Sequence, residues 1–307
     1  MHNSFDPQHF GFRTGSASIA DTDGNPFDVA YLTCGNDGAP LALLLHGYPD
    51  TAWTWRHLMP ALAEAGYRVI APFSRGYSPS SIPADGCFQA GVLGMDANRL
   101  HEVLGGDSEA VLIGHDWGAM GVYAAAGLEP NRWRRVVAAA VMPGPASAEA
   151  FFSYDQLRMS WYMFFQLTAM ADMFIPMNDY EFITRLWADW SPGYDAAHDV
   201  GAFIEAMTAQ ENLTAALSYY RHTLVPELQD DRLAEAQAAV FTIPPMPLLY
   251  LHGDNDGCMS PAIARSCDRY LSIEGSRLVM IPKAGHFLQL EQPDEFNAEV
   301  LAFIGSD

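Results

Sequence analysis

Ala110-Val111-Leu112-Ile113-Gly114-His115-Asp116-Trp117-Gly118 is the stretch whose reading decides the fold. The four apolar residues suit a short buried strand, and the pentapeptide after them has the spacing of the nucleophile elbow, G-x-S-x-G. In that sharp strand-to-helix turn one side chain is lifted clear of its neighbours. Here the raised residue is Asp116. A carboxylate that attacks carbon forms an ester, so the position predicts alkyl transfer to the protein, by opening an epoxide or displacing a halide, where a serine would perform acyl transfer. A Gly-flanked aspartate capping an ordinary helix is the plainer alternative, and the pentapeptide alone leaves it open.

Two further pieces follow in order. After Pro247, the apolar run Leu248-Leu249-Tyr250-Leu251 reads as a strand and leads into His252-Gly253-Asp254-Asn255-Asp256; Leu278-Val279-Met280-Ile281 is another, leading into Pro282-Lys283-Ala284-Gly285-His286-Phe287. An acid at a strand's carboxyl end is well placed to face a cleft, and nucleophile, acid, histidine is the order of a hydrolase elbow. These residues resemble the α/β-hydrolase fold family, and within it the epoxide hydrolase and haloalkane dehalogenase branch with an Asp-His-Asp triad. The resemblance covers nearly the whole chain and puts Asp116, Asp256 and His286 on the catalytic positions. The family's acid stands three residues after the glycine of its loop, which selects Asp256; Asp254 then fits a turn residue bonded to its own backbone. Only His286 has the Gly-His-Phe context. His46, His115 and His252 flank motifs and read as packed residues with satisfied ring nitrogens; the remaining histidines have no partner that can be named, and no spacing among them suggests a metal site.

Around the motifs, strands and helices alternate. Residues 16–36 read as two antiparallel strands joined at Asp23-Gly24, followed by a strand at 41–45, a helix at 53–65, a strand at 68–71, a helix at 95–104, the elbow strand, a helix at 118–128 and a strand at 136–142. Such alternation predicts a largely parallel sheet covered on both faces, with the site beyond the strands' carboxyl ends. Residues 145–240 break the pattern, being rich in aromatics and helix formers. The resemblance implies an α/β-hydrolase fold: a mostly parallel eight-stranded sheet flanked by helices, the core at 1–144 and 241–307, and an inserted helical cap at 145–240.

The resemblance assigns further residues. His46-Gly47-Tyr48-Pro49 is similar to the H-G-x-P motif after the third strand, which implies that the backbone amides of Tyr48 and Trp117 form an oxyanion hole for an ester on Asp116. Gly and Pro also punctuate simple turns. In epoxide hydrolases two cap tyrosines donate hydrogen bonds to the epoxide oxygen. Tyr220 matches the second of them; for the first, either Tyr162 or Trp161 fits, according to register. An indole N–H donates but does not realistically transfer its proton, whereas a phenol does. Trp117, Tyr48, Phe165, Tyr219 and Phe287 are the expected substrate contacts, although packing between cap helices accounts equally well for most of the cap rings. Phe73-Ser74-Arg75-Gly76-Tyr77 departs from the family's frequent Asp-x-Arg-Gly-Tyr.

The activity implied is hydrolysis of a small apolar epoxide to a vicinal diol, with water as co-substrate and no metal or organic cofactor. Haloalkane dehalogenation is the alternative, disfavoured by Tyr48 where many dehalogenases place a halide-binding Asn, and by Tyr220; fluoroacetate-type enzymes carry Arg where this chain has Trp117. A ligand-binding protein without turnover is a third reading, against which the complete triad argues.

Composition fits such an enzyme. At 307 residues, half of them hydrophobic, the chain suits one large domain with an insertion or two small ones. A formal net charge of −21 argues against nucleic acid or an anionic membrane surface as partner. Cys34, Cys87, Cys258 and Cys267 show no metal or disulfide spacing and fit free thiols in a reducing compartment. With no apolar signal segment at Met1–Asp6 and no run of membrane-spanning length, a cytoplasmic location is expected. A homodimer is left open.

Overall fold

The structure is a computed structural model and describes residues 5–306; Met1–Ser4 and Asp307 lie outside the described residues, and with them the sequence reading of His2 and most of that N-terminal segment. Strands β1 (Arg13–Ala20), β2 (Pro26–Cys34), β3 (Leu41–Leu45), β4 (Arg68–Pro72), β5 (Val111–His115), β6 (Arg135–Ala139), β7 (Leu248–Gly253) and β8 (Arg277–Ile281) form one sheet in the order β1-β2-β4-β3-β5-β6-β7-β8. β2 pairs antiparallel with both β1 and β4, and every other pairing is parallel.

The central strands β3, β5, β6 and β7 are buried along their whole length, as the near-continuous apolar runs of a doubly covered parallel sheet require. Successive side chains point to opposite faces. Ala42, Leu44, Val111, Ile113, Leu249 and Leu251 therefore enter one core, with α1 (Leu58–Glu64) and the C-terminal helix Pro293–Ile304, while Leu41, Leu43, Leu112, Leu248 and Tyr250 enter the other, under α2 (Ala90–Val103) and α3 (Trp117–Leu128).

Three elements differ from expectation, one of them α2, which begins at Ala90 ahead of the expected Met95. The helix expected over 53–65 is a 3₁₀ turn at Ala52–Trp55 followed by the separate α1. Pro60 has no N–H to return to the Arg56 carbonyl and its ring crowds that carbonyl, so a helix can begin just before it but not run through it. β6 stops at Ala139, because Ala140 turns to φ 67° and leads the chain out of the sheet.

Between β6 and β7 the chain forms α4 (Gly144–Phe151), α5 (Tyr154–Met159), α6 (Trp161–Gln166), α7 (Met170–Phe174), α8 (Met177–Trp190), α9 (Ala197–Ala206), α10 (Gln210–Leu224) and α11 (Ala234–Ala239), with no strand among the described residues. The first turn of α8 is interrupted by left-handed backbone at Asn178, Asp179 and Tyr180. α11 returns to the core and packs on α2 and α3. No described helix is long and apolar enough to cross a membrane.

β5 and α3 meet at Asp116, whose φ of 54° and ψ of −119° lie outside the usual range for an L-residue. A Cβ on Gly114 would stand 2.2 Å from the Gly118 carbonyl oxygen, and one on Gly118 would stand 2.1 Å from the Leu45 carbonyl oxygen. Strand, turn and helix are thus in backbone contact, and only glycine fits on either side of Asp116. Gly118→Ala, which has only backbone to push against, is expected to destabilise the fold by about 2 kcal/mol or more. Thermal denaturation checks this, and an unchanged midpoint would contradict the contact.

Candidate active site

Asp116 stands at the carboxyl end of β5 and is buried. Its Oδ1 accepts a hydrogen bond of 2.9 Å from the backbone N–H of Tyr48, in the loop leaving β3. Gly47 permits the approach, since a Cβ there would lie 2.3 Å from the same oxygen. The Trp117 N–H sits beside it at the first position of α3, where a helix leaves its amides without an internal acceptor.

The loops after β7 and β8 bring in the other two groups. His286 Nδ1 lies 3.0 Å from Asp256 Oδ2, and His286 Nε2 lies 3.5 Å from Asp116 Oδ2 with no hydrogen-bond partner. Asp256 Oδ1 is held by the backbone N–H groups of Cys258 and Met259 at 2.7 and 2.9 Å. Asp254 takes no part: its carboxylate pairs with Arg265 at 2.6 Å. Both loops are tied to the end of α8, because the N–H groups of Gly257 and His286 donate to the one Trp190 carbonyl at 3.1 and 3.0 Å.

Burial opposes protonation of His286, but the carboxylates of Asp256 and Asp116 outweigh it and raise its pKa to about 10. Burial likewise opposes ionisation of Asp116, yet His286, with help from the Tyr48 amide, holds its pKa below the ordinary 3.8; Asp256 is held low in the same way by His286 and the Met259 amide. The resting site is therefore one imidazolium between two carboxylates. The other ring histidines are neutral packing groups. His46 bonds the Gly47 carbonyl and the Ser74 N–H, His252 bonds the Tyr250 hydroxyl and the Met259 carbonyl, and His115 bonds the His286 carbonyl through Nε2 alone. Contrary to expectation, His101 and His222 also have partners, the Asp107 carbonyl and the Phe88 N–H. Among the described residues no cluster of His, Cys, Asp or Glu is arranged to hold a metal ion.

Above Asp116 is a cavity of about 290 Å³, walled by Met120, Val141, Met163, Leu224 and Met259, with Phe151, Phe152 and Phe241 also lining it. Tyr162 and Tyr220 both line it and both are buried. The Tyr220 hydroxyl has no hydrogen-bond partner, and its ring stands edge-on to Trp117 with centroids 4.8 Å apart. Trp161 is half exposed and faces Phe182. Consecutive residues of α6 point about 100° apart, and it is Tyr162 that turns inward.

The remaining expected contacts divide. Trp117 lines the cavity. Phe165 does not, being packed against Phe174 and Phe182. Tyr219 is a buried packing residue whose hydroxyl donates to the Arg75 carbonyl at 2.8 Å, and Phe287 is stacked on Trp187. The Tyr48 ring lies edge-on to Tyr220 and Phe203. Met120 and Met259 were missed, although Met120, four residues after Asp116, shares its helical face and was legible in the sequence.

The model of the alpha/beta hydrolase fold family matches residues 40–293. The chain is 32% identical to Epoxide hydrolase A of Mycobacterium tuberculosis, over 93% of this chain and 96% of that one. It belongs to the α/β-hydrolase fold family, in the epoxide hydrolase branch. Among solved structures, Epoxide Hydrolase A from Mycobacterium thermoresistibile is 26% identical with a TM-score of 0.71, covering 95% of this chain and 98% of that one. A Bacillus megaterium epoxide hydrolase, in complex with an inhibitor, is alike in fold at a TM-score of 0.78 and 23% identity, covering 95% and 100%.

The charges of this site make stability depend on pH. His286 titrates near 10 in the fold against an ordinary 6.5, so the contribution of its imidazolium is complete below about pH 6.5 and lost as pH rises through about 10. Asp116 and Asp256, both depressed, contribute above the ordinary 3.8 and lose that contribution as pH falls below it. The stability difference between the native protein and His286→Gln, measured by chemical denaturation, is expected to shrink from about pH 6 to about pH 10. A difference constant over that range would contradict the imidazolium.

Proposed function

We propose that the protein is an epoxide hydrolase that converts a neutral, apolar epoxide to a vicinal diol through an ester on Asp116. The observation that carries this reading is the meeting, in one apolar cavity, of the Asp116 carboxylate with the phenols of Tyr162 and Tyr220, the latter without a partner. The epoxide hydrolase names of its relatives support it. Two phenols beside the carboxylate suit a leaving oxygen, which needs a proton; a departing halide needs none.

Asp116 Oδ1 is held by the Tyr48 amide, so Oδ2 is the attacking oxygen. It bonds to an epoxide carbon from behind as the carbon–oxygen bond breaks, and the released electron pair takes a proton from Tyr220 or Tyr162. Burial, reinforced by the Asp116 charge on Tyr220, keeps both phenols protonated until then. Esterification removes the charge of Asp116, one of the two that hold the His286 proton, and that proton passes by way of solvent to the phenolate, restoring the phenol and leaving a neutral imidazole. The imidazole can then act as base: Nε2 takes a proton from water, the hydroxide adds to Cγ, and the negative oxygen that forms is received by the amides of Tyr48 and Trp117. The bond from Cγ to Oδ2 breaks as His286 returns its proton to that oxygen, the diol leaves with the former Asp116 oxygen, and the new carboxyl of Asp116 gives its proton to His286, which restores the carboxylate and the imidazolium. Asp256 orients the imidazole and stabilises its charge.

The cavity selects for neutral substrates. Asp116 is the only charged residue among those lining it. Its hydroxyl side chains other than the two phenols are already engaged, Ser147 with the Met142 carbonyl, Ser160 with Gln156 and Thr223 with the Ala90 N–H. Residues 145–240 form the insertion over a core of 1–144 and 241–307; its helices α6 and α10 supply both phenols and serve as the cap, while α11 at its end packs back on the core. Four buried, unpaired cysteines accord with a cytoplasmic location.

His286→Gln leaves Asp116 and the phenols in place, so the first half-reaction is expected to proceed and the second to stall. Intact-mass spectrometry after incubation with an epoxide panel should find protein heavier by one substrate molecule; no adduct from any epoxide that the native enzyme turns over would refute the assignment.

Tyr220→Phe is expected to slow ester formation from epoxides by roughly 10²-fold. An unchanged rate together with halide release from alkyl halides would transfer the reading to a dehalogenase.

A further inference from the structure

The loop after Asp256 carries a group that the mechanism above does not use. Cys258 is buried, and its Sγ lies 3.3 Å from the Tyr162 hydroxyl. Its backbone is pinned on both sides: the N–H donates to Asp256 Oδ1, and the carbonyl accepts 2.9 Å from Gln156 of α5. The sulfur therefore has little freedom to leave the phenol. The phenol is fixed in turn by the Trp190 ring, at a centroid separation of 4.7 Å.

Resting on the reading of the site as an epoxide-opening centre, we propose that Cys258 is a positioning residue whose thiol donates to the Tyr162 oxygen, leaving the phenol proton free for the epoxide oxygen. A phenol oxygen is a better acceptor than sulfur, and a thiol is a weak but real donor. Burial, with the charges of Asp256 and Asp116 close by, disfavours the thiolate and keeps the proton on sulfur. A donor into the phenol oxygen polarises its O–H outward, as hydrogen bonds in a chain strengthen one another. The same short loop then serves both half-reactions, Tyr162 through the Cys258 side chain and His286 through Asp256.

The test has two readouts. The S–H stretching band isolated in the infrared difference between native protein and Cys258→Ala is expected at the lowered frequency of a donating thiol, and to rise in Tyr162→Phe; a band that Tyr162→Phe leaves in place overturns the proposal. In a His286→Gln background, where the ester accumulates, Cys258→Ala is expected to slow adduct formation about three- to ten-fold, and Cys258→Ser, which keeps a donor, to stay within about two-fold. In a Tyr162→Phe background the alanine change should have no further effect. Equal rates for Cys258→Ala and Cys258, a serine variant as slow as alanine, or an undiminished loss without the phenol each overturn the proposal alone. A protein that no epoxide alkylates overturns the proposed function and this proposal with it.

Discussion

The site depends on one backbone contact, the approach of α3 to β3 and β5 around Asp116. With 2.1 to 2.2 Å between a would-be Cβ and the facing carbonyls at Gly118 and Gly114, the chain turns too tightly for ordinary backbone angles, and Asp116 takes a positive φ. Such a conformation costs on the order of 1–3 kcal/mol, which is offset by the burial of β3 and β5 along their whole length. The result is a carboxylate that cannot fold back onto its own strand. Gly47 completes the arrangement by letting the Tyr48 amide reach Oδ1, so one oxygen is fixed and the other is left facing the cavity.

That geometry sets the electrostatics. His286 is the one histidine at the site whose pKa is raised; burial pushes His46 down to about 4 and His115 to about 3, and lowers His252 as well. Two buried carboxylates thus share a single positive charge. In the proposed reaction, loss of the Asp116 charge is what turns an imidazolium into a base, so the second half-reaction is enabled by completion of the first. A site with a second cation beside Asp116 would lose that ordering.

The sheet and the three groups at its strand ends were legible because each rests on a local pattern: a short apolar run, then a glycine-bounded loop with the chemical residue at a fixed offset. Asp116, Asp256 and His286 all have that form. The cap was legible only as a helical insertion. Whether Trp161 or Tyr162 turns inward depends on the face that a six-residue helix buries, and adjacent aromatics give no periodic signal over so short a span. The same ambiguity placed Phe165 at the cavity when it packs elsewhere; Tyr219 on α10 and Phe287 in the loop after β8 adjoin site residues in the chain but are packed away from the cavity as well. α2 begins at Ala90, ahead of the expected Met95, and takes in Gly91 and Gly94. These glycines serve close packing, a Cβ on Gly94 falling 2.4 Å from the Ala125 nitrogen. The break at Pro60, by contrast, was visible in the sequence.

The helices inserted between β6 and β7 are bound to the loops of Asp256 and His286 as well as covering them. Besides the shared Trp190 carbonyl, Ser191 accepts from the Phe287 N–H and donates to Glu291, whose other oxygen takes the Gly285 N–H. In a second tie, Arg56 of the core pairs with buried Asp199 of α9, itself bonded to Tyr194. Burial and the charge of Asp199 push the neighbouring Asp50 up to about 8, so that carboxyl stays protonated at neutral pH and adds no unpaired charge to the joint. Buried pairs of this kind are costly to break from one side, and moving the end of α8 would also displace His286. Movement there would disturb the proposed chemistry, which favours access from elsewhere. Phe152 and Phe241 line the cavity yet are 80% and 44% exposed. The mouth is therefore apolar and lies beside α4 and α11, which take no part in either tie, so that in the proposed reaction an apolar substrate can reach Asp116 without loosening His286.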